Sequence, residues 1–200
     1  DALLLEGSEA GGHIGHVSLT ILLQQVLFHS PSVPVFVAGG IATGKMVAHL
    51  LLMGAAGCQM GTRFVMSEEC LAHPKFKERF AAARAREAVS TPSFDRVRLP
   101  VVAVRALQNK GMQQFGDLQM GLLKQLDAGS IKREEAQLKV EEYWMGALRN
   151  AVVDGDVDAG SLMAGQSVGL VEREESIAKI FEDLLGGIER ELNAVRSRLA

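Results

Sequence analysis

The chain opens with ALLLEGSEAGGHIGH, residues 2–16, and this stretch decides the fold class. Its apolar start predicts a buried β-strand that ends at Glu6. In α/β proteins, ligands bind where strands end, because side chains and free backbone groups there face the open end of the sheet. Gly11 and Gly12 lack Cβ atoms, so their N–H groups can approach a flat or anionic ligand closely. His13 then places an ionisable group at the exit of the turn.

Two further strands with glycine turns follow the first. Residues 33–38 are apolar throughout, as expected of a parallel strand buried on both faces, and the strand ends at Gly39-Gly40. Residues 57–60 form the third strand, which ends at Gly61-Thr62. Three such units predict consecutive βα units and a parallel sheet with right-handed crossovers. Either a (β/α)8 barrel or an open doubly wound sheet fits this pattern.

Helices are predicted between these strands. Residues 17–28 repeat apolar side chains at helical spacing, with Ser18 as the N-cap and a break at 30–32. Thr43 is placed to cap a second helix over 45–53.

The second half of the chain is predicted to be mainly helical. Helices are expected at 74–86, 112–126, 130–153 and 176–199. Residues 99–104 are expected to form a last strand. We therefore divide the chain into a barrel part, 1–110, and a helical C-terminal region, 111–200, that packs on it. The amphipathic tail also makes a homodimer a reasonable expectation.

The glycine turns suggest a phosphorylated cofactor. A phosphate dianion can be bound by the backbone N–H groups of these turns, the hydroxyl of Thr62 and the N-terminus of the helix that follows. Glycine pairs are uncommon in βα loops, and this chain has them at Gly11-Gly12 and Gly39-Gly40. The alternative is that these glycines only form tight turns.

His13 is the candidate acid–base or electrophilic group. His16 lies three residues further on, but no third ligand accompanies the pair at metal-site spacing, so no metal is expected. Cys58 lies within a strand, where burial is more common than reactivity. Glu6, at the strand end, is a candidate acceptor for a heterocyclic N–H of a cofactor, or else a capping or solvated carboxylate.

Composition and charge exclude several classes of protein. The formal net charge of -3 gives no electrostatic case for nucleic acid or an anionic membrane surface. Two cysteines cannot form a disulfide framework or a four-thiolate cluster, and no apolar run is long enough to span a bilayer. We therefore expect a cytoplasmic protein without nucleic-acid or membrane partners. Because a strand begins almost at once and no initiator Met precedes it, we also expect a fragment whose N-terminal half lies elsewhere.

Three motifs share the order and approximate spacing of one enzyme family, and a fourth resembles a late glycine–glutamine motif of the same family. They are EGSEAGGHIG at 6–15, AGGI at 38–41, QMGTRF at 59–64 and SLMAGQSVGL at 161–170. Together they resemble the nitronate monooxygenase family, formerly called the 2-nitropropane dioxygenase family. This family includes the flavin-dependent enoyl reductase of bacterial fatty-acid synthesis.

The resemblance implies a TIM-type barrel that binds FMN at the strand ends. This chain would then be the C-terminal part of the barrel, without its first strands. The resemblance implies that His13 is the active-site histidine, and that Glu6 faces the isoalloxazine ring. The implied cofactor-binding residues are Glu6, Gly11, Gly12, Gly39, Gly40, Gln59, Met60, Gly61 and Thr62.

Two reactions follow from the resemblance. In the first, an alkyl nitronate is oxidised with FMN and O2, while His13 binds the anion or acts as base toward a nitroalkane. In the alternative, NAD(P)H is the co-substrate and an acyl thioester, presented by an acyl carrier protein, is reduced. Both use the same residues. A third alternative is a non-catalytic barrel fragment.

Overall fold

A computed structural model describes residues 1–29 and 32–200. The strands are β1 (Leu3–Glu6), β2 (Gly12–His13), β3 (Val35–Ala38), β4 (Gly57–Gln59), β5 (Ala88–Ser90) and β6 (Val104–Leu107). The helices are α1 (Leu19–Leu27), α2 (Gly44–Leu52), α3 (Thr62–Val65), α4 (Pro74–Ala81), α5 (Lys110–Asp127), α6 (Arg133–Val152) and α7 (Ile177–Leu199). Of the predicted helix break at 30–32, residues 30 and 31 lie outside the described residues.

The three strands predicted from the opening motifs form one parallel sheet. Its order is β1-β3-β4, so each strand lies beside the next one along the chain. Helices α1 and α2 connect them, which confirms the α/β class. Because all three strands run the same way, their C-terminal ends and the glycine turns meet at one edge.

One face of this sheet is buried and the other is open. Val37 is fully buried among Leu19, Leu23 and other side chains of α1 and α2. Leu4 and Phe36, which are paired neighbours facing away from these helices, are 51% and 41% exposed. The prediction that the second strand is buried on both faces was therefore wrong at Phe36, and the first strand, predicted to be buried, is mostly exposed. Within the described residues, no second layer covers the Leu4–Phe36 face.

The helix caps differ in one respect from the sequence prediction. The Thr43 hydroxyl accepts a hydrogen bond from the Met46 N–H at 3.2 Å, as predicted for an N-cap. Ser18 stands at the N-cap of α1, but its side chain makes no capping bond. Instead the Glu9 carboxylate accepts the Leu19 N–H, at 3.0 Å for Oε2, so the opening loop itself caps α1.

A second, antiparallel sheet was not foreseen. Its order is β2-β6-β5, and His13 pairs with Val104 across it. The predicted strand over 99–104 is shifted to Val104–Leu107, because Pro100 has no N–H to donate and ladder pairing with β2 or β5 is found only from Val104 onward.

The remaining helices form two packed groups. Helix α4 ends at Ala81, five residues before its predicted end, and the Glu87 carboxylate accepts the Arg84 N–H at 2.8 Å beyond it. Phe115 of α5 packs against Trp144 of α6, with the two rings tilted and their centroids 4.4 Å apart. In the described part of the chain, no helix is both long and apolar enough to cross a membrane. The division of the chain at residue 110 stays a prediction.

Helix α7 lies directly on α2. A Cβ placed on Gly44 would stand 2.1 Å from the Leu184 carbonyl oxygen, so the two helices approach at backbone distance here. At the far end of the contact, Glu191 is 7% exposed and its carboxylate accepts from His49 Nε2 at 3.0 Å. The close approach fixes α7 against α2.

Candidate functional site

A cleft of about 250 Å³ opens where the parallel strands end. All nine residues predicted to bind a cofactor line it: Glu6, Gly11, Gly12, Gly39, Gly40, Gln59, Met60, Gly61 and Thr62. The other residues that line it are Ala10, Ala38, Ile41, Val65, Met163, Gly165 and Ser167. The structure therefore brings together residues that span 160 positions of sequence.

Glycine is required by the backbone of the second turn. Gly39 and Gly40 have φ values of +100° and +71°, a region that side chains other than glycine seldom occupy. A Cβ on Gly39 would also stand 3.0 Å from the Gly7 carbonyl oxygen. The turn after β3 is thus packed against the loop after β1, and together they form one wall of the cleft.

A late segment of the chain closes the cleft from the other side. The Gly165 N–H donates to Thr62 Oγ1 at 3.0 Å, and the Gln166 N–H donates to the Glu9 carbonyl at 2.9 Å. A Cβ on Gly11 would stand 2.5 Å from the Gly165 nitrogen, so these two backbones touch. The predicted site omitted this segment, although its motif at 161–170 carried the signal.

Several polar groups in the cleft have no partner within the described residues. Ile41 is 3% exposed, and neither its N–H nor that of Gly40 finds an acceptor there. Ser167 also lines the cleft, and its hydroxyl is not fully buried, so it is accessible from the cleft. Because buried N–H groups are normally paired, the Ile41 N–H points to a ligand with an oxygen acceptor.

His13 lies beside the cleft rather than in its lining. It is exposed, on β2, directly after Gly12. Glu6 is exposed as a whole residue, but its carboxyl is partly buried, and this burial raises the pKa of the carboxyl. The charge of His13 acts in the opposite direction and lowers that pKa. Glu6 and His13 are therefore near enough to interact electrostatically at the mouth of the cleft.

Arg105 braces the loop that carries these two residues. Its Nε donates to the Ser8 carbonyl at 2.9 Å, and its NH1 donates to the Ala88 carbonyl at 2.6 Å. Burial lowers the pKa of this guanidinium, while the nearby Glu9 carboxylate opposes that shift. The side chain thus ties the opening loop to β5, a contact between distant residues that no local motif predicts.

A larger cavity, about 540 Å³, lies between α2 and α7. None of the predicted site residues lines it, and its charges are largely paired: Arg63 lies 2.6 Å from Glu175, and Arg173 lies 3.0 Å from the same carboxylate. We therefore place the candidate site in the smaller cleft.

Within residues 1–29 and 32–200, no three His, Cys, Asp or Glu side chains are grouped as metal ligands.

A family model for nitronate monooxygenase matches residues 1–187. The chain belongs to the nitronate monooxygenase family. This confirms the resemblance drawn from the four motifs.

Individual proteins of known name are also similar to this chain. The chain is 30% identical to a (3aS,4S,5R,7aS)-5-hydroxy-7a-methyl-1-oxo-octahydro-1H-indene-4-carboxyl-CoA dehydrogenase of Mycobacterium tuberculosis, over 92% of this chain and 58% of that protein. It is 28% identical to a probable nitronate monooxygenase of Bacillus subtilis, over 92% of this chain and 50% of that protein. FabK from Thermotoga maritima superposes with a TM-score of 0.81 at 34% identity, over 99% of this chain and 57% of that chain. The chain thus spans between half and three-fifths of the length of these relatives.

Proposed function

We propose that this chain is part of an FMN-dependent nitronate monooxygenase that oxidises alkyl nitronates with O2. The observation that carries the proposal is that one cleft, with His13 at its edge, is lined by every residue the family motifs assign to the cofactor. Membership of the nitronate monooxygenase family supports the assignment of this chain to an oxidoreductase. We also propose that the parallel sheet is part of a (β/α)8 barrel, since its inner face at Leu4 and Phe36 is open for further strands.

The residues of the cleft fit FMN. A phosphate needs several donors close together, and the unpartnered N–H groups of Gly40 and Ile41 with the Ser167 hydroxyl provide them. Gly40 also gives the phosphate close access, because its backbone has a positive φ and carries no Cβ. Gly61 and Thr62 would complete this end of the site. When bound, FMN would supply the two-electron redox chemistry that no side chain provides.

Glu6 and His13 would serve the reacting end. The Glu6 carboxyl, whose pKa burial raises, would accept a hydrogen bond from an N–H of the cofactor ring. His13 as imidazolium would donate to a nitro oxygen of the anionic nitronate, and as neutral imidazole it would take the α-proton of a nitroalkane. The exposure of His13 leaves its ring accessible to a small substrate.

The test is turnover of propyl nitronate by the purified chain with FMN. We expect His13→Ala to lower kcat/KM by about 10²–10⁴-fold, the usual contribution of a positioned acid–base group, with FMN affinity unchanged. His29→Ala, an exposed histidine at the end of α1, is the matched control and should behave like the parent chain. Equal turnover by the His13 variant and the parent would refute the role of His13.

Two further measurements separate the alternative functions. Rapid anaerobic bleaching of the flavin by NADPH alone would contradict a simple nitronate monooxygenase and favour reduction of an acyl thioester. A chain that takes up no FMN on incubation would favour the non-catalytic fragment. Reduction by propyl nitronate, with none by NADPH, is the outcome that supports the proposal.

A further inference from the structure

Two buried polar side chains that lack partners among the described residues line one small internal cavity. Trp144 and Ser161 are each 5% exposed, and neither Trp144 Nε1 nor Ser161 Oγ forms a hydrogen bond in the described part of the chain. Both residues line a cavity of about 10 Å³ that lies between β6, α5 and α6. Because an unpaired N–H or hydroxyl is costly to bury, two of them on one cavity indicate that a polar molecule binds there.

The other polar side chains of this cavity are already hydrogen-bonded. Asn109 donates to two backbone carbonyls, at 2.7 Å and 3.0 Å, and its oxygen accepts the Met112 N–H at 3.1 Å. The Tyr143 hydroxyl donates to the Gly111 carbonyl at 2.5 Å, and its oxygen can still accept a hydrogen bond. Because the indole N–H of Trp144 can only donate, the bound molecule must contain an acceptor.

Packing holds both residues at the wall of the cavity. The ring centroid of Trp144 lies 4.4 Å from that of Phe115 and 5.7 Å from that of Tyr143, so the indole is enclosed by aromatic side chains. Ser161 is fixed through its backbone, because its N–H donates to the Ala147 carbonyl at 2.8 Å. A partner for the two polar groups must therefore come from within the cavity.

The volume of the cavity admits one water molecule and nothing larger. A buried water needs about 10–15 Å³ of space and two to four polar partners. The indole N–H of Trp144 can donate to the water oxygen, and the two water hydrogens can be accepted by Ser161 Oγ and Tyr143 Oη. One water thus satisfies all of these groups at once.

We propose that this cavity binds one buried water molecule that joins Trp144, Tyr143 and Ser161. The water links α6 to the start of the segment at 161–170, which closes the cofactor cleft. The helical region and one wall of the cleft are thereby connected through a hydrogen-bonded bridge. This site is independent of the proposed function, because neither cofactor nor substrate takes part in it.

A crystal structure of the purified chain, at a resolution that shows ordered water, is the direct test. We expect one water at about 2.9 Å from Trp144 Nε1 and within hydrogen-bond distance of Ser161 Oγ. A direct hydrogen bond from the indole to Ser161 Oγ, or a cavity without a water peak, would overturn the proposal.

Two substitutions at Ser161 test the same site in solution. Ser161→Ala is the matched control, because it removes the hydroxyl but leaves room for the water. Ser161→Val introduces a side chain with two more methyl groups than alanine, so it displaces the water and leaves the indole N–H buried without an acceptor. Urea unfolding should show a folding equilibrium constant about 5–30-fold lower for Ser161→Val than for Ser161→Ala.

Trp144 is the only tryptophan of the chain, so its fluorescence reports directly on the indole. We expect emission at a shorter wavelength in Ser161→Val than in the parent chain, because the indole loses its hydrogen bond to water, and little change in Ser161→Ala. A dry cavity predicts the opposite result: valine then fills a void, so Ser161→Val is at least as stable as Ser161→Ala and its emission is unchanged. That outcome would refute the bound water.

Discussion

The contact between Gly11 and Gly165 makes a sharp prediction about the cofactor cleft. A Cβ added to Gly11 would stand 2.5 Å from the Gly165 nitrogen and 2.6 Å from the Ala164 carbonyl carbon. Both are backbone atoms, so no side-chain rotation can relieve the overlap. Gly11→Ala must therefore push the opening loop and the segment at 161–170 apart. Overpacking of this kind usually costs about 1–3 kcal/mol.

Gly15→Ala is the matched control, since nothing lies within 4 Å of a Cβ there. Urea unfolding followed by circular dichroism should show Gly11→Ala less stable by about 1–3 kcal/mol, and Gly15→Ala unchanged or slightly more stable. Because both displaced segments line the cleft, FMN titration should also show weaker binding in the Gly11 variant, by about tenfold for each 1.4 kcal/mol lost from the complex. If the two variants unfold at the same urea concentration and bind FMN equally, the proposed packing of the two loops is wrong.

Two further predictions concern caps and ion pairs. Thr43→Ala should cost about 0.5–2 kcal/mol of stability in urea unfolding, because it removes the N-cap of α2. Ser18→Ala is the control and should cost much less, since the Ser18 side chain makes no capping bond. Equal losses of stability in the two variants would contradict the cap assignment. Arg63 holds the pKa of the Glu175 carboxyl below 4.5, so the stability from this ion pair is present above pH 4.5 and is lost as the pH falls below it. The stability gap between the parent and Glu175→Gln should narrow below that pH in acid unfolding curves, and a gap that stays constant would contradict the assignment.

The sequence predicted correctly those structural features that depend on residues close together along the chain. The strand ends at Glu6 and Ala38 were predicted correctly because apolar runs stop at glycine turns, and the third strand ends at Gln59, one residue before its predicted end at Met60. Parallel pairing then brings those ends to one edge. Thr43 could be assigned as a cap because capping needs only the next three residues. These features depend on neighbours along the chain.

Contacts between distant residues could not be derived in this way. Glu9 replaces Ser18 as the cap of α1 because the opening loop folds back onto Leu19. Nothing in the local sequence shows whether the Ser18 hydroxyl or the Glu9 carboxylate accepts the Leu19 N–H. The second sheet depends on a two-residue strand, β2, too short to leave a periodic pattern. Ser167 reaches the cleft only because the Gly165 N–H is hydrogen-bonded to Thr62.

The open face of the parallel sheet and the cofactor cleft are parts of one surface. Side chains two residues apart on a strand share a face, so Leu4 lies on the same face as Glu6, and Phe36 on the same face as Ala38. The cleft therefore begins where the exposed apolar surface ends. Any layer of polypeptide that covers Leu4 and Phe36 must also stand over the mouth of the cleft, and it would shield both the apolar side chains and the bound cofactor from water. We therefore expect stability of the sheet and affinity for FMN to rise together when this face is covered.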